Sequence, residues 1–177
     1  FGEAITKIQI RSKIKYRSCG IYFFELLKNR RSIRKYQSQK VEPEKIDLIL
    51  KAALMSPASK RTNGWEFWVI EQTDTLEKMA DCRPFGSKLL ANAPLAIVVT
   101  ADPEKSDVWF EDASIAAIII QLEAAELRLG SCWVQIYNRE KDENRSAEQY
   151  IKELLHIPEH LRVLCAIAIG YKDEERK

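Results

Sequence analysis

Five positive charges fall within eight positions at Lys28-Asn29-Arg30-Arg31-Ser32-Ile33-Arg34-Lys35. Arginine offers a planar fork of donors that matches a phosphate bidentately, and a serine hydroxyl can add a short bond to the same group. An anion site is one reading of this run. The other is a solvated basic face favoured by the negative end of a preceding helix. A second donor-rich stretch, Ser56-Pro57-Ala58-Ser59-Lys60-Arg61-Thr62-Asn63-Gly64-Trp65, could ring a polar heterocycle, but Pro and Gly also punctuate ordinary loops and Trp65 with Phe67 suits a core. A third, Gly130-Ser131-Cys132-Trp133-Val134-Gln135-Ile136, could aim backbone donors into a cleft or be a plain core strand with Cys132 as a small buried residue.

Other chemistries lack their residues. His156 and His160 are separated by Pro158, which breaks the helix that would put both on one face, so they make a poor metal pair. There is no GxSxG, GxGxxG or GxxxxGK[ST]. Glu111 and Asp112 are adjacent and would diverge on a helix; their expected role is charge complementarity at a helix start.

The elements that must carry these stretches follow from hydrophobic spacing. Helices are expected over Tyr22–Asn29, Pro43–Met55 (stopped by Pro57), Asp74–Ala80, Asp107–Leu129 and Ser146–Leu155. In the longest, Ile115, Ile118, Ile119, Leu122, Ala125 and Leu129 recur at helical spacing. Its charge-free centre predicts burial nearly all round, with Gly130 as its cap. Strands are expected over Glu66–Glu71, Leu95–Ala101, Ser131–Tyr137 and Arg162–Ile169, the second and fourth as continuous apolar runs covered on both faces. Strands enclosed by helices give a three-layer α/β (α+β) sandwich.

Composition sets the outer limits. The 177 residues carry 28 Lys plus Arg against 26 Asp plus Glu, a net charge of +2, with a pI near 8.3, so nothing global drives the chain to nucleic acid. Forty-six per cent apolar residues suffice for a core, and no apolar run reaches membrane-spanning length. Cys19, Cys82, Cys132 and Cys165 form no CxxC pair, as expected of reduced thiols in a cytoplasmic protein. Residues 1–20 lack the apolar centre of a secretory signal and are set apart as an extension; residues 21–177 are expected to form one domain.

Taken in order, FELLKNRRSIRKY, SPASKRTNGWEFWVI, DVWFEDASIAAIIIQLEAAELRLGSCWVQI and LRVLCAIAIGYKDEE resemble the flavin-dependent nitroreductase family over about residues 22–176. The resemblance implies a nitroreductase-like sandwich with a central mixed, largely antiparallel sheet, forming a homodimer that holds FMN at its interface. By position, Arg30, Arg31 and Ser32 match phosphate and ribityl contacts, and Arg34 the cation beside flavin N1 and O2. Pro57, Ala58, Ser59 and Arg61 match a loop that the partner chain offers to the ring, and Val134, Gln135 and Ile136 the strand whose backbone approaches N5. A fixed cation near N1 suits a ring that gains negative charge there on reduction. The implied activity is a ping-pong cycle in which NAD(P)H reduces the flavin and a nitroaromatic or quinone-like acceptor reoxidises it. No metal and no protein nucleophile are implied.

The chain departs from the family in two places. Arg61 stands where many members have an Asn; it only donates, so its pairing with flavin O4 and N3–H must differ, at O4, at the phosphate or out to solvent. Members usually continue past the Gly-Tyr segment into an extension that brings a further cation to the phosphate, whereas only Lys172–Lys177 follow here, implying a lighter site or a missing segment. The alternatives are a dehalogenase-like or flavin-fragmenting enzyme, whose lid could only be residues 137–145, and a flavin-free nucleic-acid binder using Arg11–Arg17 with Lys28–Lys35.

Overall fold

The computed structural model describes residues 23–175. The expectations for residues 1–20, and for Tyr22 at a helix start, fall outside that range. Four strands form one sheet: β1 (Trp65–Ile70), β2 (Leu95–Ala101), β3 (Gly130–Gln135) and β6 (Arg162–Gly170), in the order β1-β2-β6-β3, every pair antiparallel. The parallel component of the expected mixed sheet is one bridge, Ser32 to Ser131, where the segment after the first helix joins the edge of β3. A two-stranded hairpin, β4 (Glu140–Asp142) with β5 (Arg145–Ser146), was not anticipated; its five strand residues are almost all charged and show no apolar alternation.

Every residue of β2, and all but the first of β6, is buried, as continuous apolar runs require of central strands. Alternation divides their side chains between two cores. Ala96, Val98, Ala166 and Ala168 face α3 (Thr73–Met79) and α5 (Ala147–Leu155), while Leu95, Ile97, Val99, Ile167 and Ile169 face α2 (Pro43–Leu54) and α4 (Trp109–Glu126). The remaining helix, α1 (Phe23–Asn29), packs on α4. This is the three-layer sandwich with helices on both faces. Local chemistry fixes the helix starts: Pro43 supplies the first turn of α2, and Ser146 Oγ accepts the Gln149 N–H at 3.1 Å to cap α5.

Two expectations about the long helix are overturned. Gly130 does not cap it. The helix ends at Glu126, Arg128 takes the left-handed turn at φ 65°, and Leu129 N–H returns to Ala124 O at 2.8 Å. Gly130 opens β3 instead, because a Cβ there would lie 2.8 Å from Ile33 Cβ. Nor is the helix buried all round. Its enclosed stripe is small-residue, Ala113, Ala116, Ala117, Ile120 and Ala124, while Ile115 and Ile118 remain 39% and 40% exposed. Close approach to a sheet selects the alanines, so the isoleucine spacing marks an outward apolar face.

The contact between Gly130 and Ile33 ties the basic segment to the sheet, which makes it testable. Gly130→Ala should cost about 1–3 kcal/mol by overpacking. Urea unfolding should show a lower midpoint at unchanged slope; an unchanged midpoint would mean that Ile33 yields freely.

Candidate functional site

The basic segment lies along the outer edge of β3. Ile33 N–H donates to Ser131 O at 3.0 Å, and Tyr36 bridges Lys172. Ile33 and Tyr36 are buried and act as pegs, with the Tyr36 hydroxyl donating to Ile33 O. Burial pushes the phenol far above its usual value, so it stays a protonated donor. Between the pegs Arg34 is exposed, and before them Arg30 and Ser32 are half-buried. Arg31 Nη1 reaches Lys28 O at 3.4 Å and Arg30 O at 3.3 Å, and Arg34 Nη1 reaches Ser32 O at 3.3 Å. Among the described residues no ion pair involves Arg30, Arg31 or Arg34. Arg34 N–H donates to the Glu174 carboxylate, which places the chain's last described turn beside this run.

Past Ser131 the β3 edge carries no further strand among the described residues. Ser131 turns its carbonyl outward to Ile33, so by alternation Trp133 and Gln135 turn their backbone groups the same way. Arg83 Nη1 donates to the Gln135 carbonyl at 3.0 Å. Val134 and Ile136 send their side chains into the core, leaving only backbone to contribute to a site. The Gln135 side chain is tied locally, Oε1 accepting Trp133 Nε1–H at 2.8 Å and Nε2 donating to Tyr137 O at 3.0 Å. The edge thus runs from a basic segment at Ser131 to a second cation at Gln135, about 14 Å away at strand rise.

The loop Ser56–Thr62 is at the other edge, leading into β1. Ser59–Arg61 form one 3-10 turn, and three non-glycine residues take left-handed backbone: Lys60 at φ 51°, Arg61 at 57° and Asn63 at 45°. At Lys60 and Arg61 this costs about 1–2 kcal/mol each, while asparagine tolerates it better, and such strain gathers at functional sites. Asp112 on α4, 6% exposed, holds the loop: Oδ1 accepts Ser59 N–H at 3.0 Å and Oδ2 accepts the Ser106 hydroxyl at 2.9 Å. Asp112 does lie in the first turn of α4, as expected of a helix-start charge, and its carboxylate holds the loop in addition. Ser56 Oγ and Thr62 Oγ1 are buried without a partner. Pro57 and Arg61 are exposed, with Ala58 and Ser59 half-buried.

In one chain the sheet separates these parts. The loop sits at the β1 edge and Gln135 at the β3 edge, three strand spacings or about 14 Å apart, although both are at the same end of the sheet. Phe23, Phe24 and Leu27 of α1 and Phe110, Ile115 and Ile118 of α4 are exposed apolar side chains. Between the helices is a groove of about 310 Å³, lined by Phe23, Leu26, Ile119, Leu122, Glu123 and Glu126, and its desolvation raises the Glu123 carboxyl above the usual range, aided by the Glu126 charge. The sequence reading missed Arg83, which belongs to no motif, and the loop-holding role of Asp112; only the fold brings either to its partner. His156 caps α5 with left-handed backbone and is exposed, as is His160.

A sandwich of this topology with a basic segment on one sheet edge and a strained donor loop on the other defines a class, and the sequence profile of the Nitroreductase family matches residues 27–83 and 83–171. The chain belongs to the nitroreductase family, a family of oxidoreductases. It is similar to an FMN-dependent nitroreductase from Clostridium difficile R20291 at 56% identity, covering 86% of this chain and 88% of that one with a TM-score of 0.85. A relative from Archaeoglobus fulgidus, provisionally named an NADH dehydrogenase/NAD(P)H nitroreductase, is 38% identical over 156 residues, 86% of each. Iodotyrosine deiodinase 1 of Rattus norvegicus matches over 59 residues at 41% identity, 33% of this chain and 21% of that protein.

Strain at Arg61 predicts a trade of stability against site geometry. Arg61→Gly should raise stability by about 0.5–1 kcal/mol, since glycine adopts left-handed backbone without a Cβ clash. Thermal unfolding checks this; a lower midpoint would contradict it.

Proposed function

We propose that this chain is an FMN-dependent oxidoreductase that accepts hydride from NAD(P)H and reduces nitroaromatic or quinone-like acceptors, working as a homodimer with a site completed across the interface. One observation carries the reading: among the described residues the β3 edge past Ser131 pairs with no strand, with Arg30, Arg31 and Arg34 at one end, the Arg83 guanidinium at the other, and the strained donor loop at the opposite edge of the sheet. The names of the Clostridium and Archaeoglobus relatives support FMN and NAD(P)H respectively.

The residues present fit the cofactor. Arg30, Arg31 and Ser32 offer charge and a hydroxyl to a phosphate, and Arg34 a guanidinium to the electron-rich edge of a flavin. Gln135 N–H faces outward on the strand edge as a backbone donor, with Val134 and Ile136 fixing that edge by their burial. From the partner copy, Pro57, Ala58, Ser59 and Arg61 would close the other side of the ring. The bound flavin supplies the hydride chemistry, so the protein's work is to bind, orient and place charge. The lid candidate of the dehalogenase-like alternative, residues 137–145, is largely taken up by the β4–β5 hairpin packed on α5, so that reading has in its favour only the 59-residue likeness to iodotyrosine deiodinase 1. Among the described residues no helix is long and apolar enough to cross a membrane.

The purified protein should be yellow and bleach on anaerobic addition of NADH or NADPH; a colourless protein that takes up no FMN overturns the proposal. Arg34→Ala should weaken FMN binding by about 10- to 100-fold, the worth of a charge-assisted hydrogen bond, or lower the flavin reduction potential. Unchanged affinity and potential would remove Arg34 from the site. A double change at Arg30 and Ser32 should weaken FMN far more than riboflavin; equal losses would contradict their assignment to the phosphate.

A further inference from the structure

We infer that Asp112 is a positioning residue for flavin: its buried carboxylate fixes the strained loop Ala58–Asn63 in the shape that grips the ring. This rests on the proposed function and adds to it a residue outside the matched contact set. Burying a carboxylate is costly unless its oxygens are satisfied. Here both are engaged, one by Ser59 N–H at 3.0 Å and the other by the Ser106 hydroxyl at 2.9 Å. A carboxylate kept only for the positive end of α4 could stay in solvent, as its neighbour Glu111 does. Asp112 instead turns inward and ties α4 to a loop that carries left-handed backbone at Lys60, Arg61 and Asn63.

The loop's far end is also tied, Gly64 O accepting Asp102 N–H at 2.9 Å, but on the strained turn itself no other described contact does this work as well. The Lys60–Asp107 pair spans 3.6 Å with both side chains more than three-quarters exposed, a geometry that contributes little in water. The turn's own bonds, Arg61 N–H to Ala58 O and Thr62 N–H to Ser59 O, move with the loop and cannot anchor it. The Ser56 and Thr62 hydroxyls have no partner to offer. Asp112 therefore links a rigid helix to a turn conformation the loop sequence does not favour by itself. Asparagine at 112 would keep both contacts, its oxygen accepting Ser59 N–H and its amide donating to Ser106 Oγ; alanine would keep neither.

The loop carries its own reporter, because trypsin cuts after Lys60 and Arg61. In flavin-free protein, Asp112→Ala should speed cleavage there about tenfold, as expected when a charged acceptor is removed, and Asp112→Asn should cut like the wild type. With ligand, Asp112→Ala should weaken FMN and riboflavin by the same factor, about tenfold by the same reasoning, since the loop meets the ring and not the phosphate; Asp112→Asn should restore both affinities. Wild-type cleavage and affinity in Asp112→Ala would overturn the inference. So would a loss confined to FMN, or an Asp112→Asn protein as impaired as the alanine variant, since charge and not loop shape would then be at work. Should Asp112→Ala fail to fold, Ser59→Pro deletes the donor and leaves the carboxylate, and must open the same tryptic sites; unchanged cleavage overturns the inference. Failure of the wild-type protein to bind either flavin would sink the proposed function, while the tryptic comparison would still decide whether Asp112 anchors the loop.

Discussion

A sheet of four antiparallel strands has two edges, and here each edge carries one half of a candidate site. Among the described residues β3 has no strand partner on its outer side past Ser131, and an unpaired edge is a row of backbone donors and acceptors that a protein must cover, charge or use. The segment Arg31–Tyr36 covers only its first residue pair, pegged by Ile33 and Tyr36. The remainder is flanked by guanidinium groups from Arg34 and Arg83, so a planar ligand with both acceptors and negative charge suits it better than another strand. The Ser56–Thr62 loop lies at the opposite edge, with the two central strands between it and β3 in one chain. The proposed dimer is the arrangement that removes this separation.

That constraint also accounts for the long helix. A helix pressed against a sheet buries its smallest residues, and α4 encloses alanines on that side while turning Ile115 and Ile118 outward beside the exposed phenylalanines of α1. For an isolated chain this is a costly way to use isoleucine. It becomes sensible if a second copy covers the face and, in doing so, brings its loop to the first copy's β3 edge. The apolar surface and the divided site then have one explanation.

The sheet was legible in the sequence because LAIVVTA and RVLCAIAI can only be central strands, and the edge strands follow at helix-separated intervals within a residue or two. The burial of α4 was not legible, since a helix apolar on every side has no periodicity that says which side meets the sheet. Gly130 reads equally well as a helix cap or a close-contact glycine, and only the position of Ile33 decides. The β4–β5 hairpin is built of charged residues and left no apolar trace. In the site, the basic run stood out because five cations in eight residues are unusual, whereas Arg83 and Asp112 are single charges whose partners, Gln135 O and Ser59 N–H, lie more than fifty residues away.

In the proposed homodimer each flavin is held by the basic segment of one chain and the loop of the other. It is tested by combining two defective chains, one with Arg30→Ala and Ser32→Ala, the other with its loop blocked by Ala58→Glu, in a doubly tagged heterodimer. Each variant alone should bind little flavin, while the heterodimer, which pairs the intact segment of one chain with the intact loop of the other, should recover about half of the wild-type flavin content. A heterodimer as empty as its parents would show that segment and loop serve the same chain, and would contradict the account.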